Sequence, residues 1–453
     1  MNQENKKVTT PIADFVRSYA KSDTSRFHMP GHKGKSTLGC EMFDITEING
    51  ADSLYEAEGI IAESEENART LFGSAKTLFS TEGSSQCIRA MLYLAMLQKK
   101  EGKRPTVVAA RNVHKAFIYA ATLLDFDVVW LWPEETTESI CSCAVSSKAV
   151  ETALQENENV VAVYITSPDY LGGQADIKEI ADVCHNNGTI LAVDNAHGAY
   201  LRFLEPSQHP LDLGADICCD SAHKTLPVLT GGAYLHISKN APKVFVEQVK
   251  YAMGLFGSTS PSYLIMTSLD LCNQCLADGY KERLQKTIRL KDVYDKQLEM
   301  AGWRVRKSDP LKLTIEVPND VSCHELTEKL RQHHVECEYA DSDFVVFMLT
   351  PENTEEDLKQ ILLALGKNKF SYKEKEQLPV GRTTQVMSIR EAMFATPETV
   401  SVKEALGRIC RVPTVSCPPA IPIAVPGEVI DESVLKLFEY YGIEEVDVVL
   451  RLD

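Results

Sequence analysis

The sequence lacks the segments that would carry the chain into or across a membrane. It contains no run of about 18 apolar residues, which a membrane-spanning helix requires. The polar residues 1–10 contain no apolar core of a signal peptide. We therefore expect a cytoplasmic protein with no membrane partner.

A surplus of basic side chains is also lacking. The 453 residues include 47 Lys and Arg against 64 Asp and Glu, which gives a formal net charge of -17. Binding to nucleic acid depends on clusters of Lys and Arg that face the phosphates. The charge balance therefore argues against nucleic acid as the main partner.

The 13 cysteines lack the spacing of a metal site. Cys272 and Cys275 form a C-x-x-C, but no second pair of Cys or His follows at zinc-finger spacing. Cys141 and Cys143 are too close together for an ordinary zinc knuckle. We expect reduced thiols, as in the cytoplasm, and no metal.

The sequence does contain apolar strands that alternate with helices. The β-branched run at 160–166 and the short apolar run at 190–194 are typical of buried strands. This alternation predicts a mostly parallel sheet covered on both faces. The predicted strands are 106–110, 160–166, 190–194, 216–220, 232–237, 312–317 and 343–349, and the predicted helices are 11–22, 62–72, 84–100, 114–124, 176–187 and 281–300.

A chain of this length should fold as two or three domains. We expect an N-terminal arm at 1–60, a large α/β domain at 61–283 and a smaller α+β region at 284–453. Within the last region, a charged stretch at 367–376 is a plausible linker and the residues from 388 onward are rich in proline.

Four features fall at the ends of predicted strands, where open α/β sheets place their ligands. The first is the turn Gly83-Ser84-Ser85 at the start of a helix. Its backbone N–H groups, its two hydroxyls and the helix N-terminus favour a bound phosphate. The alternative interpretation is an ordinary N-cap serine.

The second feature is His114, directly after a strand. Its imidazole could stack on an aromatic ring or act as an acid or base. Taken alone, it would more often be a surface histidine.

The third feature is Asp194, followed by Asn195, Ala196 and His197, at the end of a buried strand. A carboxylate there is costly unless it is paired. A protonated pyridine nitrogen, as in pyridoxal phosphate (PLP), would be a suitable partner and would keep the ring an electron sink. The alternative is a metal bound by Asp194 and His197, which no further acid–histidine cluster completes.

The fourth feature is Lys224, in Ser221-Ala222-His223-Lys224 before a glycine-rich turn. An imine-forming lysine must lose a proton that normally leaves near pH ~10.4, and burial or a nearby cation favours that loss. Ser221 and His223 offer contacts to phosphate or substrate. A surface lysine is the ordinary interpretation, but the ordered set of four features favours a lysine that holds PLP.

These residues resemble the bacterial basic amino-acid decarboxylases that act on ornithine, lysine and arginine. The resemblance covers about residues 11–285 and 388–430. Its motifs are Phe27 to Gly34 (F-H-M-P-G-H-K-G), Ser221 to Lys224 with Thr230-Gly231-Gly232, Thr259 to Tyr263 (T-S-P-S-Y) and Arg390 to Phe394 (R-E-A-M-F).

The resemblance implies a fold-type I PLP enzyme that forms a homodimer, with the active sites at the subunit interface. It implies Lys224 as the Schiff-base lysine, Asp194 as the partner of the ring nitrogen and His223 as a proton donor. His114 and Ala196 would pack on the two faces of the ring. The implied cofactor-binding residues are Gly83, Ser84, Ser85, His114, Asp194, Ala196, His197, Ser221, His223, Lys224, Thr259 and Ser260, of which Thr259 and Ser260 would reach the phosphate site of the partner subunit.

Three departures from the family's pattern are visible. The chain begins almost at the opening motif, so we expect a short form without the N-terminal regulator-like domain. Asn195 stands where Glu is frequent, and Ala420 stands where we expect Gly within Cys417 to Pro422.

The expected activity is decarboxylation of arginine, lysine or ornithine to the amine and CO2, in polyamine-type metabolism. A preference for arginine rests only on the short forms of the family. Two alternatives stay open, another fold-type I enzyme such as an aminotransferase or lyase, and a PLP-binding relative without activity.

Overall fold

The helices and strands follow the chain in alternation over much of its length. The computed structural model describes residues 8–133, 139–367, 371–372, 383–415 and 420–451. The helices are α1 Pro11–Ala20, α2 Ile60–Phe72, α3 Ser84–Met96, α4 Lys115–Leu124, α5 Ser147–Glu156, α6 Ile177–Asn186, α7 Ala222–Thr225, α8 Lys243–Leu255, α9 Tyr263–Ala277, α10 Tyr280–Met300, α11 Cys323–Gln332, α12 Glu355–Leu365, α13 Ile389–Phe394 and α14 Glu432–Tyr440.

The strands are β1 Lys76–Ser80, β2 Thr106–Ala110, β3 Asp127–Leu131, β4 Val160–Thr166, β5 Ile190–Asp194, β6 Ile217–Asp220, β7 Ala233–Ile237, β8 Val305–Arg306, β9 Lys312–Glu316, β10 Tyr339–Ala340, β11 Phe344–Met348, β12 Pro397–Ser401, β13 Thr414–Val415, β14 Pro422–Ala424 and β15 Glu445–Val449. The chain divides into two compact units, one of residues 1–97 and 192–285 and the other of residues 98–191 and 286–453. The predicted boundaries at residues 60 and 283 stay predictions.

The first unit contains the strand order β1-β7-β6-β5. β5 and β6 are parallel, and β7 runs antiparallel to both β6 and β1. β5 and β6 are buried along their whole length. Apolar residues occupy consecutive positions in both strands, so the side chains on both faces of the sheet are buried. Each of these two parallel strands ends at an aspartate, Asp194 and Asp220, so both carboxylates reach the same edge.

The N-terminal helix belongs to this unit. α1 buries Ile12, Ala13 and Val16, which share one helical face. The backbone N–H of Ala13 donates to Asp270 Oδ2 at 2.9 Å, so a carboxylate of α9 satisfies one free N–H of the first turn of α1. α1 is therefore fixed to the core by packing and by one hydrogen bond to a carboxyl group.

The second unit contains three parallel strands in the order β4-β2-β3. It also holds an antiparallel sheet in the order β10-β11-β9-β8 and the pairs β12-β15 and β13-β14. Leu313, Ile315, Val345 and Phe347 of the four-stranded sheet form a core with Trp303. These antiparallel strands with α11 and α12 are the α+β region that the sequence predicts.

The α/β class is confirmed, and most predicted elements form within a few residues of their predicted bounds. The helix predicted at 84–100 ends earlier, at Met96, because Leu97 is exposed and polar residues follow it. Most of the predicted linker at 367–376, and Cys417, Pro418 and Pro419, lie outside the described residues. Among the described residues, no helix combines the length and apolar character that crossing a membrane would need.

Candidate active site

The end of β5 places Asp194 in the interior of the first unit. Its side chain is buried, and Asp194 Oδ1 accepts from the backbone N–H of Ala196 at 3.2 Å. The chain then turns through residues 195–198, closed by a bond from Gly198 N–H to the Asn195 carbonyl at 2.8 Å. This turn presents Ala196 and His197, both buried, next to the carboxylate.

Lys224 lies in the short helix α7, which follows β6. Its backbone N–H donates to the carbonyl of Ser221 at 3.0 Å. Its Nζ lies 3.0 Å from His197 Nε2, which joins the residues after β6 to the residues after β5. An imidazole at this distance is a suitable acceptor for a proton that leaves the lysine.

The turn predicted to bind phosphate forms at the start of α3. Gly83 has φ +69°, a left-handed conformation that suits glycine and opens the turn. The N-cap residue is Gly83, which has no side chain to cap the helix, so the N–H groups of the first turn suit an anion. Ser221 Oγ donates to Ser84 Oγ at 2.9 Å, which brings the two predicted hydroxyls together, and Ser85 follows, half-buried.

A second glycine turn ties this phosphate turn to the lysine segment. Gly83 N–H donates to the Gly231 carbonyl at 2.7 Å, and His223 N–H donates to the Gly232 carbonyl at 3.1 Å. Gly231 has φ +98°, and a Cβ there would lie 2.9 Å from the carbonyl oxygen of Thr81. A side chain at this position would therefore push the two segments apart.

The same turn fixes the protonation of His223. Its Nδ1 lies 2.9 Å from the Gly232 carbonyl oxygen, which can only accept, so Nδ1 carries a hydrogen. Nε2 is the other ring nitrogen, and it is the atom through which His223 would contact a substrate or cofactor. The predicted proton donor therefore has one defined atom through which to act.

Residues behind the phosphate turn were not predicted from the sequence. Ser80 Oγ lies 2.6 Å from Gln86 Oε1 and 3.1 Å from the Gly83 carbonyl, and it accepts from Glu82 N–H at 3.1 Å. Gln86 Nε2 donates to Tyr55 Oη and to the Met253 carbonyl, each at 2.8 Å. A glutamine on the buried face of a predicted helix was the signal that could have identified this support.

Buried titratable groups surround the ends of β5 and β6. Burial raises the pKa of Cys87, Cys218 and Cys219, so these thiols stay protonated. Burial alone would also raise the pKa of Asp220, but contacts with the His209 and His236 imidazoles hold it below its usual range. A second carboxylate is therefore ionised inside the protein, one residue before Ser221.

Three predicted residues remain, Thr259 and Ser260 in the first unit and His114 in the second. Thr259 and Ser260 are exposed, beside Ser258, whose N–H donates to the Glu82 carboxylate of the phosphate turn. His114 belongs to the second unit, where its Nδ1 accepts from Ala116 N–H at 3.1 Å at the start of α4. Their predicted contacts with the cofactor stay predictions.

The residues gathered in the first unit fit PLP. The uncapped helix start with Gly83 and the hydroxyls of Ser84 and Ser221 suit a phosphate. A buried carboxylate, Asp194, suits a protonated ring nitrogen. Lys224, paired with an imidazole, suits an aldehyde carbon.

Comparison with known proteins agrees with this arrangement. The family model described as Orn/Lys/Arg decarboxylase, major domain, matches residues 10–316, and that of the C-terminal domain matches residues 369–446. An arginine decarboxylase of Halalkalibacterium halodurans is 29% identical over 94% of this chain and 91% of its own. An arginine decarboxylase of Bacillus subtilis is 28% identical over 93% and 91%.

Solved structures show the same fold. The lysine decarboxylase of Francisella novicida superposes with a TM-score of 0.80 at 18% identity, covering 98% of this chain and 82% of its own. A NifS-like protein superposes with a TM-score of 0.55 at 14% identity, covering 79% and 94%. The predicted fold-type I class is thus confirmed. Because the family models match most of its length, the chain belongs to the Orn/Lys/Arg decarboxylase family and is a PLP-dependent decarboxylase.

Proposed function

We propose that the chain decarboxylates a basic L-amino acid, with arginine as the first candidate, to the corresponding amine and CO2. The observation that carries the proposal is the contact between Lys224 Nζ and His197 Nε2, beside buried Asp194 and the Ser84–Ser221 pair. Arginine comes first because four relatives matched along more than nine-tenths of this chain are named arginine decarboxylases. The amine would enter polyamine-type metabolism.

The site residues would hold the cofactor at three places. Gly83, Ser84 and Ser221 would bind its phosphate, Lys224 its aldehyde carbon, and Asp194 its ring nitrogen. When bound, PLP supplies an electron sink for the electron pair left at Cα as the carboxylate departs. Asp194 supports this chemistry because a buried anion keeps the ring nitrogen protonated.

His197 and His223 handle protons at separate atoms. Lys224 reacts only as the neutral amine, and His197 Nε2 at 3.0 Å is placed to accept its proton. His223 is tied to Gly232 through Nδ1, so Nε2 of its doubly protonated imidazolium form is the atom that would deliver a proton to Cα. Lys224, once free, is the alternative donor.

The assembly and location follow the family resemblance. We propose a homodimer in which Thr259 and Ser260 of one subunit approach the phosphate site of the other. Their exposure supports this placement. The cytoplasmic location stays a prediction.

Absorbance of the purified protein tests the cofactor assignment. We expect a visible band that borohydride reduction removes while fixing the cofactor to Lys224, as peptide mass spectrometry would show. Lys224→Ala should abolish the band and lower turnover by at least about a thousandfold, since covalent and acid–base roles are lost together. Lys239→Ala, at an exposed position, is the matched control and should keep both. A wild type without the band, or a Lys224→Ala variant that retains it, would contradict the proposal.

A product assay tests the substrate. We expect CO2 and amine from arginine at a higher kcat/KM than from lysine or ornithine. One methylene in a pocket changes kcat/KM by only about 10- to 200-fold, so all three must be measured under the same conditions. Formation of a keto acid without CO2 would replace the decarboxylase with an aminotransferase.

A further inference from the structure

A fully buried cluster of polar side chains lies beyond the proposed cofactor site. Asp220 Oδ2 lies 3.1 Å from His209 Nε2 and 3.2 Å from His236 Nε2, and all three side chains are shielded from solvent. Asp220 Oδ1 accepts from Asn195 Nδ2 at 2.7 Å. Three N–H donors therefore converge on one carboxylate, and the third comes from the residue next to Asp194.

The hydrogen bonds of His209 indicate that the Asp220 carboxylate is an anion that accepts from N–H donors. His209 Nδ1 accepts from Leu211 N–H at 3.4 Å, so its hydrogen is on Nε2, facing Asp220. His209, Cys218 and Asp220 place donor atoms within 4.8 Å of one another, as a metal site would. A protonated Nε2 cannot bind a metal, so hydrogen bonding accounts for the cluster.

The anion dictates the orientation of Asn195. A carboxylate can only accept, so Asn195 must turn Nδ2 toward Asp220. Asn195 Oδ1 is consequently buried, and it has no hydrogen-bond partner among the described residues. A buried amide oxygen without a partner is unfavourable, and the side chain keeps this orientation because Asp220 imposes it.

Asn195 in turn shapes the segment that carries the proposed site. Its N–H donates to the Cys219 carbonyl at 3.0 Å, and its own carbonyl accepts from Gly198 N–H. Its side chain packs on Gly198, where an added Cβ would lie 2.0 Å from Asn195 Oδ1. The turn that presents Ala196 and His197 is thus built around the Asn195 amide.

We infer that Asp220 is a positioning residue that acts through Asn195 on the turn at 195–198, and so on the contact between His197 and Lys224. The inference rests on the proposed function of that site. It also accounts for Asn195 where the family frequently has Glu, because a glutamate would set a second carboxylate against Asp220. The carboxylate that bonds to Asn195 stands instead on β6.

An exchange of the two side chains tests the inference. In Asp220→Asn, the charge that orients Asn195 is lost. We expect the dissociation constant of the cofactor to rise about 10- to 100-fold, which is the change expected for the loss of one hydrogen bond to a charged group. The visible band should also shift. kcat should fall while KM for the amino acid changes little. Asn195→Asp should be at least as damaging, because two carboxylates then face each other.

The double variant Asn195→Asp/Asp220→Asn restores the hydrogen bond with donor and acceptor exchanged and keeps a single carboxylate. We expect it to recover most of the cofactor affinity lost in either single variant. Asp270→Asn is the matched control, because Asp270 is also fully buried but bonds to Ala13 and Ser64. It should leave the dissociation constant and the band unchanged, whatever its effect on thermal unfolding.

The outcomes separate the two proposals. A wild type with the band and turnover, but an Asp220→Asn variant with unchanged cofactor affinity and band, would overturn only the role of Asp220. A double variant no better than the worse single variant would do the same. A wild type that binds no PLP would overturn the proposed function and this inference with it.

Discussion

At the scale of single residues, the described structure places charged side chains inside the protein only with specific partners. Arg111 is an example in the second unit. Its guanidinium lies 3.2 Å from Glu428 Oε2, donates to the Pro422 carbonyl at 3.0 Å, and stacks between Trp130 and Trp132. Both charged side chains of this pair are buried.

Removing one charge of this pair should be costly. We expect Glu428→Gln to lower the free energy of unfolding by about 3 kcal/mol, since it leaves the Arg111 charge buried without its counter-ion. Urea unfolding followed by tryptophan fluorescence measures the change. Asp182→Asn, which breaks the exposed pair of Lys178 and Asp182, should cost under about 0.5 kcal/mol. Equal losses in the two variants would contradict the buried-pair interpretation.

Single residues also show which parts of the site could be predicted from the sequence and which could not. Asp194, Ser221 and Lys224 could be identified because each stands at the end of an apolar strand in a distinctive motif. Asp220 stands at the end of a predicted strand in the same way, but only the structure shows which imidazoles and which amide meet its carboxylate. His209 and Asn195 contact Asp220 from other parts of the chain, and no local sequence pattern predicts these contacts.

At the scale of elements, predicted and observed bounds agree best where one physical signal dominates. β2, β4 and β5 form at their predicted residues because β-branched, apolar runs of this length suit buried strands. β1 was missed, since Lys76–Ser80 has polar residues at both ends and little alternation. β1 pairs with antiparallel β7, which lies more than 150 residues further along the chain. The periodicity of apolar residues within a segment does not predict such long-range pairing.

The attachment of α1 should depend on pH through Asp270. Burial raises the pKa of this carboxyl to about 6, from a usual value near 4. The folded protein therefore binds this proton more tightly than the unfolded chain, so the stabilisation is present below about pH 4 and is lost as the pH rises through about 6. Asp270→Asn should remove that pH dependence of the unfolding free energy. Parallel curves for both proteins between pH 4 and 7 would refute the assignment.

At the scale of the whole molecule, the acidic net charge and the exposed apolar side chains have opposite effects on association between copies of the chain. A net charge of -17 keeps copies of the chain apart by general repulsion. The predicted N-terminal arm nevertheless exposes Phe27 and Leu38 almost completely, at 94% and 86%. Contiguous exposed apolar surface commonly marks an interface, and we expect the proposed homodimer to cover these two side chains.

Substitution in the arm tests this expectation. Phe27→Ser/Leu38→Ser should shift the protein from dimer to monomer in sedimentation, with the loss growing on dilution because association follows mass action. Leu363→Ser on α12 also removes an exposed apolar side chain and should leave the assembly intact. A dimer unaffected by the arm variant would assign the interface elsewhere.

The glycine turn at residues 230–232 has a consequence for how the site is filled. Its carbonyls accept backbone N–H groups from both the phosphate turn and the lysine segment. The entropy of ordering those two segments is therefore lost during folding and does not have to be lost again on cofactor binding. In hydrogen-exchange experiments, the amides of Gly83 and His223 should already be protected in the apoprotein, which makes the site a preorganised receptor rather than one assembled by its cofactor.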